Sequence, residues 1–167
     1  MFRRKKARIP DFLRDANGTL ALAASPVEPV SEGKWIGGWA TELALADSAG
    51  YRQVHEWSDF ENGSWDDDTN TLILTFVDPR LEPLVLSLPR EADGLIITMI
   101  RERVDRSIVL QQFAEMPSGG IARGQLRRNA DESLFVQIIV DNEPTAADEA
   151  VLRELENDLR GAVGLDS

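Results

Sequence analysis

A single histidine, 29 carboxylates and one dense basic run are the chemically capable groups of this 167-residue chain. His55 stands alone, so a histidine-rich metal site or a Ser-His-Asp nucleophile would rest on one imidazole. Its neighbours Val54, Glu56 and Trp57 read as strand, and no G-x-S-x-G elbow accompanies it. It is expected to be a structural or surface histidine, with a pH-sensitive contact as the alternative. Asp66, Asp67 and Asp68 with Thr69 and Asn70 gather oxygen ligands as a calcium loop does. The D-x-[DN]-x-[DN]-G spacing and the distal bidentate glutamate are missing, which makes the run a hairpin turn. Gly119-Gly120 and Gly124 have neither a phosphate-loop lysine nor the strand and helix order of a nucleotide site. No pair of carboxylates is singled out for glycoside hydrolysis. The expectation is no catalytic residue, no metal and no cofactor.

The basic run is Arg3, Arg4, Lys5, Lys6 and Arg8. Each such group near an anionic membrane contributes about 1 kcal/mol, so these five are the candidates for a weak membrane or anion contact. Residues 1–14 hold six of the 18 basic groups and one of the 29 acids, leaving a formal charge of −16 on the rest. A body that acidic repels phosphate polyanions, and nucleic-acid binding is not expected. The run resembles the positive start of a secretory leader, but Pro10, Asp11, Arg14 and Asp15 interrupt the apolar stretch that must follow. A cytoplasmic protein is expected.

Cysteine is absent, which excludes disulfides, thiolate metal sites and cysteine nucleophiles together. With 43% apolar and 28% charged residues the composition is that of a globular protein, and no stretch approaches the roughly 18 apolar residues of a membrane span. At this length about 70% of the unfolded surface can be buried, so one core can form unaided.

The elements follow from periodicity. Ile9–Arg14 reads as one helical turn, and Thr19–Ala24 as the first strand. Ser25–Gly33 is a loop, and Lys34–Ala46 forms two strands or one bent strand in which Trp35, Trp39, Leu43 and Leu45 share a parity. Tyr51–Trp57 and Gly63–Asp66 follow as strands. Asp67–Asn70 then turns the chain into Thr71–Val77, where Leu72, Leu74 and Phe76 alternate with Thr71, Ile73 and Thr75. Leu84–Leu88 is a seventh strand. From Glu91 to Arg106 the period changes: Leu95 with Met99, and Ile96 with Ile100 and Val104, lie four residues apart on one helical stripe. Ile108–Phe113 continues the chain to a hairpin of Ile121–Arg128 with Ser133–Val140. A second helix carries Val151, Leu152, Leu155 and Leu159, with Thr145 as its N-cap and Gly161 at its end. All four tryptophans lie in strands and are expected mainly to fill a core.

The turn-bounded segments Trp57-Ser58-Asp59 and Ser64-Trp65-Asp66, together with Arg103-Val104-Asp105-Arg106-Ser107-Ile108-Val109 at the end of the helix, resemble segments of small actinobacterial proteins with a pleckstrin-homology-like (PH-like) domain. The resemblance implies an α+β, mainly β fold: a barrel of about seven antiparallel strands capped by a helix, then an extra β-hairpin and a C-terminal helix. Residues 1–18 would be a flexible basic tail, 19–107 the barrel with its helix, and 108–167 the hairpin and helix packed on the same domain. It brings no catalytic residues. Phosphoinositide-binding relatives place basic residues around the first loop, whereas Ser25–Gly33 carries Glu28 and Glu32 and only Lys34 follows, which argues against headgroup binding of that kind. The implied function is a non-enzymatic binding or scaffold module for a protein partner. Membrane attachment through Arg3–Arg8 and a carboxylate-dependent enzyme are the alternatives. Homo-oligomerisation is open if the hairpin Ile121–Val140 exposes an edge.

Overall fold

The computed structural model describes residues 8–92 and 94–164. The chain divides into two compact units, with the boundary between Asp105 and Arg106.

In the first unit, β1 (Ala23–Pro26), β2 (Trp35–Gly38), β3 (Glu42–Ala46) and β4 (Arg52–Glu56) form one antiparallel sheet in chain order. A second antiparallel sheet holds β5 (Phe60–Asp66), β6 (Thr71–Phe76) and β7 (Leu84–Ser87), and helix α1 (Gly94–Ser107) follows. Seven strands and a helix therefore occur in the expected order. The expected closed barrel does not form: the ladder breaks into sheets of four and three strands, because Trp57–Asp59 wind into a single 3-10 turn between β4 and β5. Glu56 and Asp59 close that turn reciprocally as a capping box, with the Glu56 N–H donating to Asp59 Oδ2 at 3.0 Å.

Alternation decides which face of the second sheet is buried. Leu72, Leu74 and Phe76 point inward from β6, and they share a core with Ile36, Leu43 and Leu45 of the first sheet and Ile96, Ile100 and Val104 of α1. The four-residue spacing of these helical residues puts them on one stripe, as the sequence requires.

The first sheet is buried on its other face as well. Ala24, Trp39, Ala44 and Ala46 lie beneath Leu13 and Ala21, with Ile9 and Phe12 packed at the margin. A Cβ added at Gly37 would stand 3.2 Å from Ala21 Cβ, so the covering segment lies directly on backbone. Residues 9–21 are thus folded where the sequence suggests a tail and a helical turn. Asp15 holds them in a turn by accepting the N–H groups of Asn17 and Thr19, and Arg14 then bridges Leu20. The first strand starts at Ala23 instead of Thr19, since its ladder begins opposite Gly38. Leu13 is fully buried, and Leu13→Ala is expected to lower the stability of this unit by about 3 kcal/mol in urea unfolding.

The second unit contains β8 (Ile108–Glu115), β9 (Ile121–Arg128), β10 (Leu134–Ile139) and α2 (Glu149–Ala162). Its antiparallel sheet runs β10-β9-β8, so the segment after α1 completes a three-stranded sheet with the expected hairpin. Leu155 and Leu159 of α2 pack on Ala122, with Leu110, Ala114, Val136 and Ile138 around them. The opposite face carries the buried Gln125 and Arg127. The Gln125 amide donates to Gln111 Oε1 at 2.8 Å, and Arg127 Nη2 donates to Ser107 Oγ.

Candidate functional site

Of the basic run, Arg3, Arg4, Lys5 and Lys6 lie outside the described residues, and Arg8 is exposed just before the first packed residue. His55 sits on β4 against the rings of Phe60 and Phe76, with centroids 5.6 and 5.0 Å away. Its Nε2 is 2.8 Å from Gln53 Nε2, and its Nδ1 is 4.0 Å from Asp59 Oδ2. Burial pushes its pKa below the ordinary histidine value, and the Asp59 carboxylate opposes that shift more weakly. The arrangement holds a neutral imidazole as part of an aromatic wall.

The tryptophans are tied into packing. Trp39 Nε1 donates to the Thr19 carbonyl at 2.7 Å and Trp57 Nε1 to the Trp39 carbonyl at 2.8 Å, both from buried rings. Trp35 packs at the margin of the cluster under Leu13. Trp65, half-buried, donates to Asp67 Oδ1 at 2.6 Å. The acidic turn spends its carboxylates locally, with the Asp68 N–H on Asp66 Oδ1 at 2.9 Å and Asn70 at φ 52°. No group of three metal-ligating side chains occurs among the described residues.

Asp148, just before α2, is buried and accepts four hydrogen bonds. Ser118 donates through N–H (3.0 Å) and Oγ (2.6 Å), and Thr145 through N–H (2.8 Å) and Oγ1 (3.1 Å). Thr145 is therefore a donor to Asp148, and the helix begins at Glu149, three residues inside its expected cap. The Ser118 hydroxyl, with the Thr145 and Ser118 amides, holds the Asp148 pKa down at about 2. A carboxyl with a lowered folded pKa stabilises above its unfolded value of about 3.9, and that stability is lost as pH falls through the folded value. Acid unfolding of this unit should accordingly steepen between about pH 4 and 2. Asp148→Asn should flatten that limb in circular dichroism. The cleft beside this network, lined by residues 116, 118–121 and 140–143, opens to solvent and has a cavity volume of about 20 Å³. That is smaller than the roughly 300–1,000 Å³ of ordinary ligand pockets.

The features that sequence reasoning missed are apolar groups left on the surface of sheets. On the outer face of β5-β6-β7, Val85 is 63% exposed and stands opposite Ile73, with the exposed Ser64 completing the row. The Leu88 N–H donates to the Asn70 carbonyl at 2.9 Å, which fixes the hydrogen-bonding phase of β6 and β7. By that phase the N–H and C=O groups of Val85 and Ser87 face away from β6. The Ser87 carbonyl accepts from the Glu28 N–H at 2.8 Å. Val85 thus offers both a backbone edge and an apolar side chain. The alternation of Ile73 with Leu72 and Leu74 was the available signal, since one member of such a triplet must point outward.

Fold and surface together define an α+β protein, mainly β, whose described residues form three antiparallel sheets and two amphipathic helices. No protein-family model, curated protein or solved structure matches the chain. No helix among the described residues is long and apolar enough to cross a membrane.

Proposed function

We propose that the protein is a non-enzymatic, cytoplasmic binding module with a PH-like first unit, which docks a protein partner on the outer face of β5-β6-β7. One observation carries the docking: the exposed Ile73–Val85 pair beside the outward backbone groups of Val85. A partner segment laid along β7 gains main-chain hydrogen bonds there and covers both side chains, which is how extended peptides bind sheet edges. The PH-like reading rests on the order of seven strands followed by a helix whose stripe fills the core. The test is capture of partners from the native host with wild-type protein and with Val85→Lys. Both exposed positions tolerate substitution to within about 0.5 kcal/mol, so the fold persists. Loss of a wild-type partner in Val85→Lys is the expected result, and an unchanged partner set refutes the docking site.

A second reading, membrane contact through Arg3, Arg4, Lys5, Lys6 and Arg8, is favoured by the exposure of Arg8 at the start of the folded body. Its vesicle-sedimentation test neutralises these five residues and leaves residues 9–14 in place, because Leu13 belongs to the core. Binding to anionic vesicles that survives neutralisation rejects this reading.

A further inference from the structure

We propose that Tyr51, Gln53, His55 and Asp59 form a proton-operated switch along β4, in which protonation of the imidazole reverses the Gln53 amide and turns the Tyr51 hydroxyl from an inward donor into an outward one. Tyr51, just ahead of β4, alternates with Gln53 and His55 along one extended segment, so the three side chains share a face. Their hydrogen bonds run in one direction. The Tyr51 hydroxyl donates to Gln53 Oε1 at 2.8 Å, which leaves the Gln53 NH2 group 2.8 Å from His55 Nε2. An amide NH2 group can only donate, so Nε2 accepts and the neutral ring carries its proton on Nδ1. That atom faces Asp59 Oδ2 at 4.0 Å. The pattern imposes the tautomer opposite to the one that free imidazole prefers in water.

Adding a proton breaks this order at one point. Both ring nitrogens of an imidazolium are donors, and the Nε2–H would confront the Gln53 NH2 group. Turning the amide about its last side-chain bond presents Oε1 to that N–H and NH2 to the Tyr51 oxygen, which accepts while its own proton swings away. Gln53 and His55 keep their partners in either arrangement, and no bond of the β3–β4 ladder changes. Two complete hydrogen-bond patterns on one backbone make a bistable element, and a proton selects between them.

The surroundings hold the ring neutral at rest. Leu43 stands opposite it on β3, Phe60 and Phe76 wall it from β5 and β6, and Asp59 of the 3-10 turn is the charged group of this set. Burial favours the neutral ring and the Asp59 carboxylate opposes it more weakly, so the changeover falls in mild acid, below the ordinary histidine value. At the other end Asp47 accepts the Tyr51 N–H at 3.0 Å and Lys34 Nζ lies 5.0 Å from the ring centroid. Neither contact occupies the hydroxyl. Because Tyr51 is 41% exposed, the state of the buried imidazole is read at the surface: acid offers a hydroxyl donor there, and neutral pH withholds it.

This inference is independent of the Ile73–Val85 site, and Val85→Lys should leave it intact. The chain holds one histidine and one tyrosine, so nuclear magnetic resonance of the full protein reads both without ambiguity. Titration from about pH 8 to pH 5 spans the range in which histidine changes charge. Wild type should show the proton on Nδ1 at the upper end, and the Tyr51 ring and Gln53 amide signals should shift with the midpoint of His55. Gln53→Met, which keeps the length and removes the amide, should leave His55 titrating and abolish the Tyr51 response. Gln53→Glu supplies an acceptor to both neighbours and should move the His55 midpoint to higher pH. Circular dichroism should be unchanged in both variants, since position 53 is half-buried on a strand paired on one side. An Nε2–H tautomer in wild type, a Tyr51 signal that ignores the His55 titration, or an imidazole that stays neutral until the unit unfolds overturns the proposal. A Tyr51 response that persists in Gln53→Met overturns it too, because the two rings would then communicate without the amide.

Discussion

Gly124→Ala is expected to destabilise the C-terminal unit by about 2 kcal/mol, and Gly124→Val by about 3 kcal/mol or more. A Cβ at this position would lie 2.6 Å from Leu159 Cδ1 and 2.9 Å from Leu155 Cγ, inside any real contact distance. Two effects compete. Replacing a strand glycine removes an entropic disadvantage of roughly 0.5–1 kcal/mol, which favours the variant. Against this, α2 must lift off the middle strand, and Leu155 and Leu159 lose their packing on Ala122. The second effect wins because the close atoms belong to α2's main apolar anchors and include a branch carbon as well as a flexible tip. Urea unfolding measures the loss. The double variant Gly124→Ala, Leu155→Ala should be less destabilised than the sum of its parts, since truncating Leu155 makes room for the new methyl group. Additive effects would mean that glycine is present for some other reason.

Phe60→Ala is expected to remove about 4 kcal/mol from the first unit, and also to weaken its pH dependence. Phe60 is fully buried, 5.0 Å from the Phe76 ring, and forms part of the wall around His55. A histidine whose folded pKa lies below its unfolded value of about 6.5 binds fewer protons in the folded state. Its burial therefore lowers stability as pH drops below that value, and wild type should melt at a lower temperature at pH 5 than at pH 7. In Phe60→Ala water reaches the imidazole through the vacated volume, so the difference between the two pH values should shrink. His55→Phe should abolish this contribution while keeping the aromatic packing. Equal pH slopes in wild type and His55→Phe would show that another group sets the dependence.

These effects also show which parts of the fold were legible in the residues. β6 and α1 were, because Leu72, Leu74 and Phe76 alternate and Ile96, Ile100 and Val104 recur at helical spacing, each facing one core. The first sheet was less legible: with both faces covered, alternation carries little information, and Thr19–Ala24 gave no reason to start pairing at Ala23. Sheet closure was not legible either. It depends on whether β4 meets β5, and the Glu56–Asp59 capping box decides that in a few residues. The docking of residues 9–21 left no local trace, since its cause is the fit of Leu13 and Ala21 onto Gly37, some twenty residues further along. For the candidate sites, the alternation of Tyr51, Gln53 and His55 was visible as one face of a strand. The direction of their hydrogen bonds required the placed side chains, and the outward turn of Val85 required the phase of its ladder.

The covering of Ala24, Gly37, Ala44 and Ala46 by Leu13 and Ala21 ties two distant stretches of sequence to one another. Bulk added to the strands must be matched by bulk removed from the segment above them. Divergence at either place should therefore come in compensating pairs, and a lone enlargement at Ala44 should be rarer among descendants of this chain than its chemistry alone would suggest.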